Sequence, residues 1–172
     1  MVFLRFFLTG VILSALSLPG YFRRGNRLNR QDLWLFLVNG TIGITVSISL
    51  FHAAIEMFVN ASSSAVVFSA NGVFTAVLAR FINNEAWSWR KWGAIIFGIL
   101  GVSLFIGESG APTRGAIYAI LVMSLSALCF SFSVCYARRH AAKYGPMLFM
   151  GASSFFGGLL TLPVALLRKN AD

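Results

Sequence analysis

Acidic side chains are scarce in this sequence. Five Asp and Glu stand against fourteen Lys and Arg in 172 residues, and the charged fraction is only 11%, less than half the roughly 25% of soluble domains. With 58% hydrophobic residues, so few charges cannot solvate the surface of a globular fold in water, and a soluble domain is excluded. Cysteine is nearly absent. Cys129 and Cys135 share one apolar run, and at a separation of six they face different sides of a helix. That spacing excludes a disulfide or a metal pair between them, so both are read as small packing residues. The two histidines, His52 and His140, are far apart in the chain, and no third ligand accompanies either, so no metal is expected. No Gly-rich phosphate loop occurs, which excludes ATP-driven transport within this chain, and no cofactor is expected. The net charge of +9 raises nucleic acid as a partner. The basic residues lie between apolar runs rather than along one face or tail, which excludes that reading.

Long apolar runs are what the sequence does contain. Six are visible, at about Val2 to Phe22, Leu33 to Phe58, Ala61 to Ile82, Trp92 to Gly107, Gly115 to Ala137 and Pro146 to Leu167. The fourth is short for a span. Short connections join them, so the expected architecture is an all-α membrane protein, a bundle of about six transmembrane helices with the lipid bilayer as its surroundings. The first run has only Arg5 ahead of much of its apolar core, with Arg23 and Arg24 after it. That order predicts a retained span rather than a cleaved signal.

The third run sits at the centre of this reading. From Ala61 to Ile82 it carries one charge, Arg80, and as a helix it reaches ~33 Å, enough for a ~30 Å hydrocarbon core. Ala65, Ser69, Gly72, Ala76 and Ala79 recur at spacings of four, three, four and three. They share one helix face, where a neighbouring backbone could come close, as small residues allow in lipid. The same face makes a second copy of the chain a candidate partner.

Lys and Arg in the connections set the expected orientation. Arg23, Arg24, Arg27 and Arg30 follow the first run, Arg90 and Lys91 the third, and Arg138, Arg139 and Lys143 the fifth. The second connection has none and the fourth only Arg114. By the positive-inside rule, loops 23–32, 83–91 and 138–145 are cytoplasmic and the N-terminus lies outside, in a cell membrane taken to be a bacterial inner membrane. Trp34, Trp87, Trp89 and Trp92 fall at the predicted cytoplasmic interface. Arg168 and Lys169 disagree, because they follow the sixth run on the outer side.

A short internal match bears on that disagreement. Leu16-Ser17-Leu18-Pro19 corresponds to Leu160-Thr161-Leu162-Pro163, each ahead of a basic pair. Four runs lie between the copies, so they cross in opposite senses, the mark of an inverted-topology repeat.

Several strings carry a family likeness: Leu50-Phe51-His52-Ala53-Ala54, Ala61 to Ala65, Gly72-Val73-Phe74-Thr75-Ala76-Val77-Leu78-Ala79, Glu85, Trp92-Gly93 and Gly101-Val102, in that order. The series resembles the EamA domain of the drug/metabolite transporter superfamily. That family typically has a proline where this chain has Gly72, and Gly-Glu where it has Asn84-Glu85. A glycine keeps close approach but loses the proline kink. The resemblance implies ten helices in two five-helix inverted repeats. On that template residues 1–108 are the first repeat without its first helix, and residues 115–172 are the start of the second without its last three. The function it implies is secondary transport of small metabolites or drugs by alternating access, with a small-molecule solute as partner. An inactive remnant or a structural helix-packing partner is the alternative.

Polar residues inside the spans are costly and mark candidate sites. Asn71, Thr75, Asn39 and Ser131 are candidates for solute contact, and Asn71 and Asn39 equally for bonds to a neighbouring helix. Ser131, with Ser124 and Ser133, could instead bond its own backbone carbonyls. His52 and Glu56 are four apart on one face and could exchange protons during transport, or simply meet headgroups and water at the interface. Arg80 and Glu85 could pair at the rim. Gly107-Glu108-Ser109-Gly110 and Gly151-Ala152-Ser153-Ser154 resemble serine-hydrolase strings. Catalysis would need a histidine at the serine, and His52 is the only intramembrane one, so no enzyme is expected.

Overall fold

The computed structural model describes residues 2–23, 29–57, 61–86, 88–108 and 114–169. Among them every element is helical: α1 (Val2–Arg23), α2 (Arg30–Gly40), a π-helical segment (Thr41–Val46), α3 (Ser47–Met57), α4 (Ala61–Ser69), α5 (Asn71–Asn83), α6 (Trp89–Glu108), α7 (Arg114–Tyr144) and α8 (Pro146–Lys169). By length and composition five stretches can cross a membrane: Leu4–Tyr21, Arg30–Met57, Ser64–Asn83, Gly115–Tyr144 and Pro146–Pro163. α6 contains a shorter apolar stretch, Lys91–Gly101, as the shortness of the fourth run leads one to expect. The fold is an all-α, multi-pass membrane protein.

Local chemistry places the ends. Asn29 caps α2: its Oδ1 accepts from Arg30 N at 2.8 Å, while Asp32 Oδ2 accepts from Asn29 N at 2.9 Å, a reciprocal capping box. α5 ends where Asn84 turns left-handed at φ 51°, a conformation that asparagine tolerates. The predicted loop 138–145 is corrected: residues 138–144 continue α7, and only Gly145, at φ 82°, separates it from α8. No strong helix breaker precedes Gly145, and Arg, Ala and Lys favour helix. Pro146 then opens α8, where a missing amide costs nothing. Residues 24–28 of the predicted loop 23–32, with Trp87 and Ser109, lie outside the described residues.

The chain divides into two compact units, residues 1–45 with 136–172, and residues 46–135. In the first, α8 packs between α1 and α2. α1 and α8 are antiparallel: Phe7 lies opposite Gly158, Gly10 opposite Phe155 and Ser14 opposite Gly151, and further along α1 the Tyr21 ring meets that of Tyr144 at the end of α7. The glycines make this approach possible. A Cβ on Gly151 would stand 2.9 Å from Ser14 N, and one on Gly158 2.8 Å from Phe7 N. Gly157 serves the other neighbour. A Cβ there would stand 2.7 Å from the Gly40 carbonyl oxygen, and its own carbonyl accepts from Thr45 Oγ1 at 3.0 Å. Tyr21, Phe36, Tyr144, Leu148 and Phe149 close one end as an apolar core, with Phe36 edge-on to both Tyr144 and Phe149.

The second unit holds α3 to α6 and α7 as far as Cys135. Its core is Ala54, Val67 and Met123, flanked by Phe51 and Phe68, whose rings meet edge-on at 4.9 Å.

Candidate functional site

The third apolar run is not one helix. It breaks at Ala70, between α4 and α5. Ala70 N bonds Val67 O at 3.2 Å and Val73 N bonds Ala70 O at 3.0 Å, so the ladder there includes the tighter i→i−3 pattern of a 3₁₀ turn. The break needs no proline, and it precedes Gly72 rather than centring on it. The Ala70 side chain makes no cap.

The facing side of α7 supplies polar groups to this junction. Ser131 is fully buried, and its hydroxyl donates to the carbonyl oxygen of Asn71 at 2.8 Å. One helical turn on, the buried thiol of Cys135 lies 3.5 Å from the carbonyl oxygen of Thr75, a weak donor on a backbone acceptor. One turn back, Ser126 and Ser47 exchange bonds across α7 and α3: Ser126 Oγ donates to Ser47 O at 2.7 Å, and Ser47 Oγ to Ser126 O at 3.1 Å. Hydroxyl-to-carbonyl bonds between helices are the expected attachment in lipid, each about 0.6 kcal/mol.

Three of the four solute candidates, Asn71, Thr75 and Ser131, therefore meet at one place, where their contacts run through the backbone carbonyls of the broken helix. Ser131 bonds across to another helix rather than to its own. Asn39 belongs to the first unit and is 2% exposed; it lies just before the π segment, an irregularity often found at functional sites. His52 is half-buried on α3, its ring 6.0 Å from that of Phe51, and Glu56 is exposed. Of the small-residue face, Ala79 is buried, Ala76 half-buried, and Ala65, Ser69 and Gly72 are exposed. The close glycine contacts with α1 instead come from α8. At the rim, Glu85 accepts Lys91 Nζ at 2.6 Å, and its backbone carbonyl accepts Arg80 at 3.3 Å.

Sequence reasoning missed Ser47, Ser126 and Cys135 as bonding partners. For Cys135 the signal it had was spacing along α7: Ser131 and Cys135 are four apart on one face, whereas Ser126, five before Ser131, lies about 140° around the helix, towards Ser47 of α3. It also missed Asp32, the buried acid that joins Tyr144 and Lys143 in the first unit.

The groups brought together here are hydroxyls, a thiol and backbone carbonyls, the chemistry of hydrogen bonding. Among the described residues no group of three His, Cys, Asp or Glu could hold a metal. Ser153 Oγ, in one hydrolase-like string, is buried with no hydrogen-bond partner among the described residues.

The molecule is thus an α-helical multi-pass membrane protein, with a helix interrupted at Ala70 in its second unit. Residues 1–107 match the EamA-like transporter family, and the chain belongs to it. It is 24% identical over 161 residues to an uncharacterized transporter of Clostridium kluyveri, covering 91% of this chain and 51% of that protein. It is 23% identical over 142 residues to an uncharacterized transporter of Archaeoglobus fulgidus, covering 81% and 49%. The chain therefore spans about half the length of these curated relatives. No solved structure matches it significantly.

Proposed function

We propose that this chain is part of a secondary transporter that moves small polar or amphipathic solutes by alternating access. The observation that carries this reading is the break at Ala70, with Ser131 and Cys135 of α7 turned onto the backbone of the broken helix. Discontinuous spans near the bilayer midplane are where secondary transporters bind solutes and coupling ions, because the freed backbone groups become ligands. Asn71 and Thr75 on one wall and Ser131 on the other are the contacts we assign to the solute; Asn39, beside the π segment of the first unit, is a separate candidate for solute contact. His52 and Glu56 on α3 are assigned to proton coupling. The antiparallel α1 and α8 support an inverted repeat, with residues 1–108 in the first copy and 115–172 opening the second.

The test is uptake by proteoliposomes holding the chain in its membrane-inserted form, with a panel of radiolabelled amino acids and a lipophilic cation. Uptake above empty vesicles, driven by an imposed proton gradient and lowered in Asn71→Leu, supports the reading. A second reading is a helix-packing partner that carries no flux, and the exposed Ala65, Ser69 and Gly72 favour it. Self-association in detergent without uptake of any solute would decide for that one.

A further inference from the structure

Beside the start of α2, against α8, lies an open hollow of about 600 Å³ lined by Arg30, Gln31, Leu33, Trp34, Leu37 and Phe156. Its chemistry is graded. Arg30 and Gln31 are exposed in the first turn of α2, Trp34 is 65% exposed one turn further, and Leu37 and Phe156 are half-buried. The acid of that same turn is committed elsewhere: Asp32 is buried, accepts from Asn29 N, and bonds Tyr144 and Lys143. The sequence adds three more arginines, Arg23, Arg24 and Arg27, to the same connection. A basic mouth over an apolar floor, at the end of a membrane span, matches neither a free ion, which needs no apolar floor, nor a neutral lipid, which needs no cation.

We propose that this hollow holds an anionic phospholipid. The guanidinium of Arg30 takes the phosphate, in the bidentate geometry that suits it better than an ammonium. The Trp34 indole sits at headgroup level, where amphipathic rings are at home. An acyl chain runs along Leu33, Leu37 and Phe156. Basic pockets between transmembrane helices are a known setting for such headgroups.

The experiment is native mass spectrometry of the purified chain in detergent, with dioleoyl phosphatidylglycerol and dioleoyl phosphatidylcholine added in equal amounts. Phosphatidylglycerol is retained preferentially. Arg30→Gln lowers that preference about fivefold, the effect of one basic residue at an anionic surface. Arg30→Lys keeps most of it, and so does Arg5→Gln, which removes one charge from α1 away from the hollow. Trp34→Ala weakens retention of phosphatidylglycerol in a chain that keeps the α2 charge. The proposal is overturned if Arg30→Gln and the parent chain retain the two lipids alike, if Arg5→Gln lowers the preference as much, or if sn-glycerol 3-phosphate displaces the bound lipid as well as phosphatidylglycerol does.

Discussion

The hydroxyl of Ser131 on α7 donates to the carbonyl oxygen of Asn71, 2.8 Å away, at the first residue of α5. It ties a long helix to the point where its neighbour breaks, so the break is held by a bond and not left to solvent or lipid.

That bond separates two effects. Ser131→Ala removes one interhelical hydrogen bond and lowers stability by about 0.6 kcal/mol, read as a small drop in the unfolding midpoint in detergent. Asn71→Leu keeps the backbone acceptor and removes only the amide. It inserts as well as the parent, since leucine is favoured in the hydrocarbon core, while uptake falls about fivefold, the worth of one hydrogen bond of about 1 kcal/mol. Unchanged uptake would take Asn71 off the list of solute contacts.

Two glycines with opposite surroundings should answer oppositely to alanine. At Gly158 the added Cβ meets the backbone of Phe7 at 2.8 Å, and backbone cannot swing aside as a side chain can. Gly158→Ala forces α1 and α8 apart and lowers stability by about 1–3 kcal/mol. At Gly72 nothing lies within 4 Å of the added atom. Gly72→Ala raises stability by up to about 1 kcal/mol through helix propensity alone. Thermal unfolding of both variants in the same detergent makes the comparison; equal shifts would contradict the packing.

Asp32 does three jobs at one buried carboxylate: it caps α2 through Asn29 N, accepts the Tyr144 hydroxyl, and pairs with Lys143 at 3.1 Å. The Lys143 side chain is 64% exposed, so the ion pair itself contributes about 0–1 kcal/mol. The cap and the buried hydroxyl outweigh it. Asp32→Ala costs about 2–4 kcal/mol, Tyr144→Phe about 1 kcal/mol, and Lys143→Met least. The double variant of Asp32 and Tyr144 is milder than the sum of its parts, because the two share one bond. A denaturation series that ranks Lys143 first would refute this order.

Orientation has its own test. Reporter fusions after Arg24 and after Ser109 should report opposite sides of the membrane, the first cytoplasmic. Activity on the same side for both would break the alternation of basic connections on which the topology rests.

Much of the scaffold was legible in the sequence, and the site only in part. Each apolar run became helical over its described residues, the second with a π segment and the third with a turn at Ala70, because an apolar backbone in lipid has no alternative that satisfies its own amides. The antiparallel crossing of the first and last runs was legible from the four runs between them; in the structure Ser17 and Thr161, which correspond in the short internal match, each donate back to their own helix, at 2.6 and 2.7 Å. Asn71, Thr75 and Ser131 could be named from their polarity alone. Their meeting could not, since nothing local to Ser131 points to Asn71, sixty residues away. The small-residue stripe on the third run reads from sequence much as the glycines of α8 do, yet Gly72 stands open and Gly158 is closed.

Composition and periodicity thus determined by themselves that the chain is helical and spans a membrane several times, because scarcity of charge and run length are summed over many residues and survive any arrangement; its likeness to a transporter family lay in particular strings such as Gly72 to Ala79. Only the tertiary structure decided where a helix breaks, which glycines face a backbone and which hydroxyl reaches which carbonyl. Those depend on how one helix is rotated against another, and a rotation of a single residue, about 100°, is enough to replace one set of contacts with another.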